Sequence, residues 1–157
     1  MRWIFNSIIN SMRSILDPAN REEIIRRIQN LNENSTRIWG KMTVSQMIRH
    51  CSQWDEMALG KRKYKQSLLG RLFGKVALKN FLKEEPVKRN LPTVSDFKIK
   101  GESDVAEEKE KWLRSMREYQ NISTVGFIHP FFGYMDKEQT GRMVYKHADH
   151  HLRQFGC

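Results

Sequence analysis

Three of the five histidines in the chain, His147, His150 and His151, fall within five residues near its end. On a shared helix, His147 and His151 lie one turn apart, separated by roughly 40° about the axis. Two imidazoles at i and i+4 can grip one metal ion, as in the H-E-x-x-H helix of metalloproteases. Here Ala148, Asp149 and His150 stand between them, so the general-base glutamate of that motif is missing. Zinc takes at least three protein ligands, and a third must come from elsewhere. His50 is the candidate. Met47 at i−3 and Trp54 at i+4 put it on or beside an apolar helix face. Alone there, a histidine is ordinarily a hydrogen-bonded core or boundary residue. Facing a helix that carries His147 and His151, it becomes the natural third ligand, in the manner of sites built between facing helices of a bundle.

Three neutral imidazoles leave at least one coordination position open and suit Zn²⁺, Ni²⁺ or Fe²⁺, with ligand type alone not choosing among them. Such an ion can acidify a bound water or hold a substrate thiolate. His150, at i+3 from His147, can replace His151 as a ligand, carry protons beside the site, or make a surface or interhelical hydrogen bond. Its angular offset favours the last. His129 precedes Pro130 in a loop, where it can act as an acid/base or substrate contact or tie the loop by a hydrogen bond. His129 and His150 are thus the catalytic candidates. Gln46, one turn before His50, is placed to orient its ring, and Asp149 is expected to point into solvent. Cys51 cannot pair with His50, because adjacent helical residues point about 100° apart. It reads as a buried, inert thiol. Trp54, Phe131, Phe132 and Tyr145 can line an apolar pocket over the metal or be plain core.

The elements that must position these groups are legible as helices. Residues 2–16 carry Trp3, Ile4, Ile8, Met12 and Ile15 at helical spacing, with Arg2 and Arg13 beside them. This stretch reads as an accessory amphipathic helix, able to pack on its own domain or to lie on a membrane. Asp17-Pro18 starts the next helix as N-cap and first residue, with Ile24, Ile25, Ile28 and Leu31 at core spacing. Thr43 and Gln46 form a capping box for the helix that carries His50. Leu68 to Leu82 is expected as a helix with Leu69, Leu72, Phe73, Val76, Ala77 and Phe81 inward, preceded by a basic turn over 61–65. Residues 86–101 read as a long loop, briefly extended over 94–99. Asp104 opens a helix with Val105, Trp112, Leu113, Met116 and Tyr119 inward, and residues 121–134 read as a loop. Asp136 with Gln139 opens the last helix. The expected fold class is all-α, an antiparallel four-helix bundle with an extra N-terminal helix. Residues 1–16 form the accessory helix and 17–157 the main domain.

At 157 residues the chain fits one domain. No apolar run approaches the ~20 residues that span a bilayer. The first ten residues are too polar for a secretory signal, and two distant cysteines do not make a disulfide framework. A cytoplasmic protein is expected. The net charge of +10 raises contact with nucleic acid or an anionic membrane, although a solvated basic surface explains it more simply.

The helix opening Lys41-Met42-Thr43-Val44-Ser45-Gln46-Met47-Ile48-Arg49-His50-Cys51 and the closing His147-x-x-His150-His151-Leu152-Arg153-Gln154 resemble the DinB-like (YfiT-like) metal-binding four-helix bundles. With His129-Pro130-Phe131-Phe132-Gly133, Gly141 and Tyr145, the chain looks like the branch of that superfamily called domain of unknown function 1569, over roughly residues 17–156. The resemblance implies a divalent metal, zinc or nickel foremost, held by His50, His147 and His151. Relatives include thiol-dependent S-transferases that use a low-molecular-weight thiol, hydrolase-like proteins and homodimers. The expected function is therefore metal-dependent transferase or hydrolase chemistry on a small molecule. The alternative is a non-catalytic binding protein that turns its basic surface to an anionic partner.

Overall fold

The computed structural model describes residues 12–123 and 126–157. Five α-helices are present among them: α1 (Pro18–Gln29), α2 (Val44–Ala58), α3 (Leu68–Phe81), α4 (Val105–Glu118) and α5 (Lys137–Gln154). Each begins at a side chain that accepts a hydrogen bond from an otherwise orphan amide: Asp17, Thr43, Ser67, Asp104 and Asp136. The boxes at Thr43/Gln46 and Asp136/Gln139 are both closed. These caps fix where α2 and α5 start, and hence the height at which their histidines sit.

The core lies between four of the helices. α2 packs on α4 and α5, and α1 packs on the same two. Ile24, Ile28, Met47, Ile48, Met57, Trp112, Leu113 and Met116 are almost wholly buried there. A carboxyl group lies among them. Asp55 of α2 accepts hydrogen bonds at 2.8 Å from the Trp112 indole N–H and at 2.8 Å from the Tyr119 hydroxyl. These bonds tie α2 to α4 and its extension.

The all-α expectation needs one correction. Gly126–His129 (β1) and Gly133–Asp136 (β2) pair as an antiparallel hairpin, with Phe127 opposite Met135 and His129 opposite Gly133. The molecule is mostly helical with a small two-stranded sheet. Phe127, His129, Gly133 and Met135 face inward while Ile128 and Tyr134 face out, the period-2 alternation of a strand. Residues 94–99, expected as briefly extended, instead hold a 3₁₀ turn, Ser95–Phe97, with Phe97 buried.

A second correction concerns α3. Its expected inward face, Leu69, Leu72, Phe73 and Val76, lies in solvent, and Leu68 and Leu72 are 78% and 73% exposed. The buried side is Gly70, Gly74 and Leu78, with Ala77 and Phe81 half-buried. A Cβ on either glycine would run into the Phe131 carbonyl. The glycines let α3 lie directly on the hairpin turn, where Ser67 N–H donates to the Pro130 carbonyl at 2.8 Å. The accessory-helix expectation falls mostly on residues 1–11, outside the described residues. Within them, Met12–Leu16 is coil and turn, anchored by Ile15, which is buried and bonded to the Gly141 carbonyl at 2.9 Å.

Candidate metal centre

Packing α2 against α5 brings His50, His147 and His151 together, with one ring nitrogen from each within 4.8 Å of the others. The His50 and His147 Nε2 atoms are 2.9 Å apart. His50 and His151 are buried and His147 is half-buried. His151 packs edge to face on both other rings and His50 lies tilted to His147, with centroids 4.7–5.0 Å apart.

Two rings are oriented from behind. His50 Nδ1–H donates to the Phe97 carbonyl at 3.0 Å, and His151 Nδ1–H donates to Gln154 Oε1 at 2.9 Å. Gln154 is itself held by its amide N–H, which donates to the Trp39 carbonyl at 2.8 Å. Placing the proton on Nδ1 leaves the Nε2 lone pair for the cluster, the arrangement that outer partners of metal-bound histidines impose. Trp54 stacks on His147, with centroids 5.0 Å apart and planes 30° apart. Burial keeps all three rings neutral. Desolvation depresses the proton affinity of His50, and more strongly that of His147 and His151, where the neighbouring imidazoles add to the effect. The cluster therefore presents neutral nitrogen donors. Nitrogens on one tetrahedral zinc sit ~3.3 Å apart, between the 2.9 Å and 4.8 Å found here, so the donor set fits one small divalent ion.

The other sequence candidates lie outside the cluster. His150 packs edge-on to Trp39, with centroids 5.9 Å apart, and lines a surface cleft with Arg89 and Arg153. His129 is buried in the hairpin, where its Nδ1 accepts from the Phe131 and Phe132 amides at 3.1 Å each. It shapes the turn, and desolvation pushes its pKa down to about 4. Gln46 does not orient His50. Its side chain is committed to the capping box and the Gly101 carbonyl. Asp149 is not solvated, but half-buried and paired with Arg27 at 2.9 Å and with Arg153. Burial raises its pKa, and hydrogen bonds from those two arginines outweigh that and hold it low. Cys51 is buried, and desolvation pushes its thiol pKa well up. Among the aromatics, Trp54 is beside the cluster and Phe132 stacks on His129. Tyr145 instead donates to Glu23 and lines a cleft of about 380 Å³ with Arg13, Lys83 and Lys146. The sequence reading missed Phe97 and Gln154. Gln154 lay at i+3 from His151, a spacing that signals contact on a helix. Phe97 acts through its backbone, which leaves no mark in the sequence.

Helices that place three neutral histidines together over a hairpin define a helical protein with a candidate metal centre. Residues 10–156 match the family described as protein of unknown function, DUF1569, and the chain belongs to that family. Neither the curated proteins nor the solved structures gave a match.

Proposed function

We propose that His50, His147 and His151 together hold one divalent ion, zinc or nickel foremost and iron next, and that the protein performs metal-dependent chemistry on a small molecule. The observation that carries this reading is the convergence of three buried or half-buried, neutral imidazoles whose nitrogens fall within 4.8 Å of one another. Resemblance to the DinB-like pattern supports it. So does the cycle of contacts α1–α4–α2–α5, which suits an antiparallel four-helix frame.

When bound, such an ion supplies Lewis acidity, which acidifies a water or stabilises a thiolate. The chain's own residues do the rest. The Phe97 carbonyl and Gln154 keep protons on the outward nitrogens of His50 and His151. Trp54 braces the His147 ring. The substrate class is a low-molecular-weight thiol with an electrophilic partner, for S-transfer, or a hydrolysable ester or amide. Two free cysteines suit a reducing compartment such as the cytoplasm.

Elemental analysis of the purified protein, wild type beside His147→Ala, tests the site. Near-stoichiometric metal in the wild type and none in the variant is the expected result. Absence of metal from both after incubation with zinc or nickel, or equal metal in both, would sink the assignment. Chelator-sensitive activity on a thiol and ester panel then tests the chemistry.

A further inference from the structure

Residues 61–83 contain eight Lys or Arg and no Asp or Glu, against a net charge of +10 for the whole chain. Lys61 and Arg62 are paired, with Glu118 and Glu56. Among the described residues, Lys63, Lys65, Arg71, Lys75, Lys79 and Lys83 enter no ion pair. The same stretch holds the exposed apolar face of α3, formed by Leu68, Leu69, Leu72, Phe73 and Val76.

The helical phase sorts these residues into zones. At about 100° per residue, Leu68, Leu72, Val76, Leu69 and Phe73 cover one continuous outward arc of roughly 140°. Arg71, Lys75 and Lys79 run along one border of that arc, with Lys79 overlapping it, and Gly70, Gly74 and Leu78 lie on the opposite, buried side. An outward apolar arc with a cationic border is the pattern of a helix lying in the plane of a membrane interface. Here the helix is fixed to the fold by its glycines, so the face is a rigid platform.

We infer that α3 docks the protein on an anionic lipid surface, with Leu68, Leu72, Phe73 and Val76 entering the headgroup boundary and the basic border meeting lipid phosphates and carboxylates. Charge complementarity selects this occupant. A second copy seated on the same face would bring two stretches of eight cations and no acid together. Nucleic acid would engage the cations and leave the leucines and phenylalanine in water. An anionic bilayer satisfies both zones. No described helix is long and apolar enough to cross a membrane, so the contact is peripheral. It stands independently of the histidine cluster.

The test is co-sedimentation of the full-length protein with vesicles of phosphatidylcholine alone and with 30 mol% phosphatidylserine. Binding to the mixed vesicles only, weakened at high salt, is expected. Leu72→Asp with Phe73→Asp should lower it at least tenfold, since each side chain accounts for about a tenfold step or more. Lys75→Glu with Lys79→Glu should lower it about tenfold. All four positions are exposed, so circular dichroism and thermal melts of these variants should match wild type. No binding to the anionic vesicles overturns the proposal, as does binding that the Leu72/Phe73 variant retains. Loss in Ile4→Asp with Ile8→Asp but not in the α3 variants would move the contact to the N-terminal stripe and also overturn it. A concentration-dependent dimer abolished by the Leu72/Phe73 substitutions would assign the face to a second copy instead.

Discussion

Asp55 offers the sharpest quantitative test of the packing that holds the histidine-bearing α2 in place. Burial raises its pKa from 3.8 to about 7, against the hydrogen bonds from Tyr119 and Trp112 that favour the anion. The folded state therefore holds a proton on Asp55 that the unfolded chain has released between about pH 4 and pH 7. Stability from this group is fully present below the unfolded value and declines as pH rises through the folded one. Over pH 4.5 to 7.5 the decline is ~3 kcal/mol. The buried histidines act in the opposite direction. His129, held near 4, and the depressed cluster rings stay neutral while the unfolded chain takes up protons below about pH 6.5, so their share of stability falls as pH falls. The wild-type profile alone hides both effects. Asp55→Asn separates them. The amide oxygen can accept from Trp112, and its N–H₂ can donate to the Tyr119 oxygen, so the helix tie survives while the ionisation is removed. Urea unfolding of wild type and variant, followed by tryptophan fluorescence at half-unit pH steps, gives a difference in which the histidine terms cancel. The wild type should lose ~3 kcal/mol relative to the variant between pH 4.5 and 7.5. Parallel profiles, with a difference constant over that range, would refute the assignment of a protonated Asp55 to the core.

Other outcomes follow from the same geometry. Gln154→Leu leaves the three imidazoles present but removes the acceptor behind His151, and zinc affinity by competition with a chromogenic chelator should fall 10- to 100-fold. Gln46→Ala opens the capping box and releases the Gly101 carbonyl, and should lower stability by ~1 kcal/mol with metal content unchanged. Zinc at about one hundred times its dissociation constant should stabilise the fold by ~2.7 kcal/mol, a rise in Tm of ~5–10 °C by calorimetry, and His50→Ala should show no rise. Gly74→Ala forces a Cβ into the Phe131 carbonyl and should cost ~1–3 kcal/mol in chemical denaturation, while Gly101→Ala, with open space around it but a left-handed φ of +75°, should cost only the backbone strain of ~1–2 kcal/mol.

Helix starts were the most legible part of the fold, because a cap is a local hydrogen bond written in two residues. Asp17, Thr43, Asp104 and Asp136 were readable for that reason. α3 was misread in orientation for an equally physical cause. Periodicity identifies an apolar stripe but does not say what the stripe meets, and the small side, Gly70 and Gly74, was the side that packed. The hairpin escaped because strands of four residues with histidine and glycine among their inward positions carry little alternation to read. Convergence of His50 with His147 and His151 was anticipated from helix faces, but the carbonyl of Phe97 belongs to an irregular loop whose path no pattern announces.

The hydrogen bonding around the cluster suits the proposed metal centre. In a core, each buried imidazole would find a partner for both nitrogens. Here His50 and His151 direct their N–H groups outward, to the Phe97 carbonyl and to Gln154. Both inward Nε2 atoms are then acceptors. His147 can supply one proton, and at 2.9 Å it faces His50. His151 meets His50 and His147 edge to face at its inward side. Adding a proton to the cluster is opposed by the desolvation that depresses all three pKa values. A divalent cation in the proposed site would accept three lone pairs and leave every ring neutral. The two outward anchors would therefore orient the donors before the ion arrives, so that the packing of α2 on α5, and no rearrangement afterwards, sets the affinity of the site.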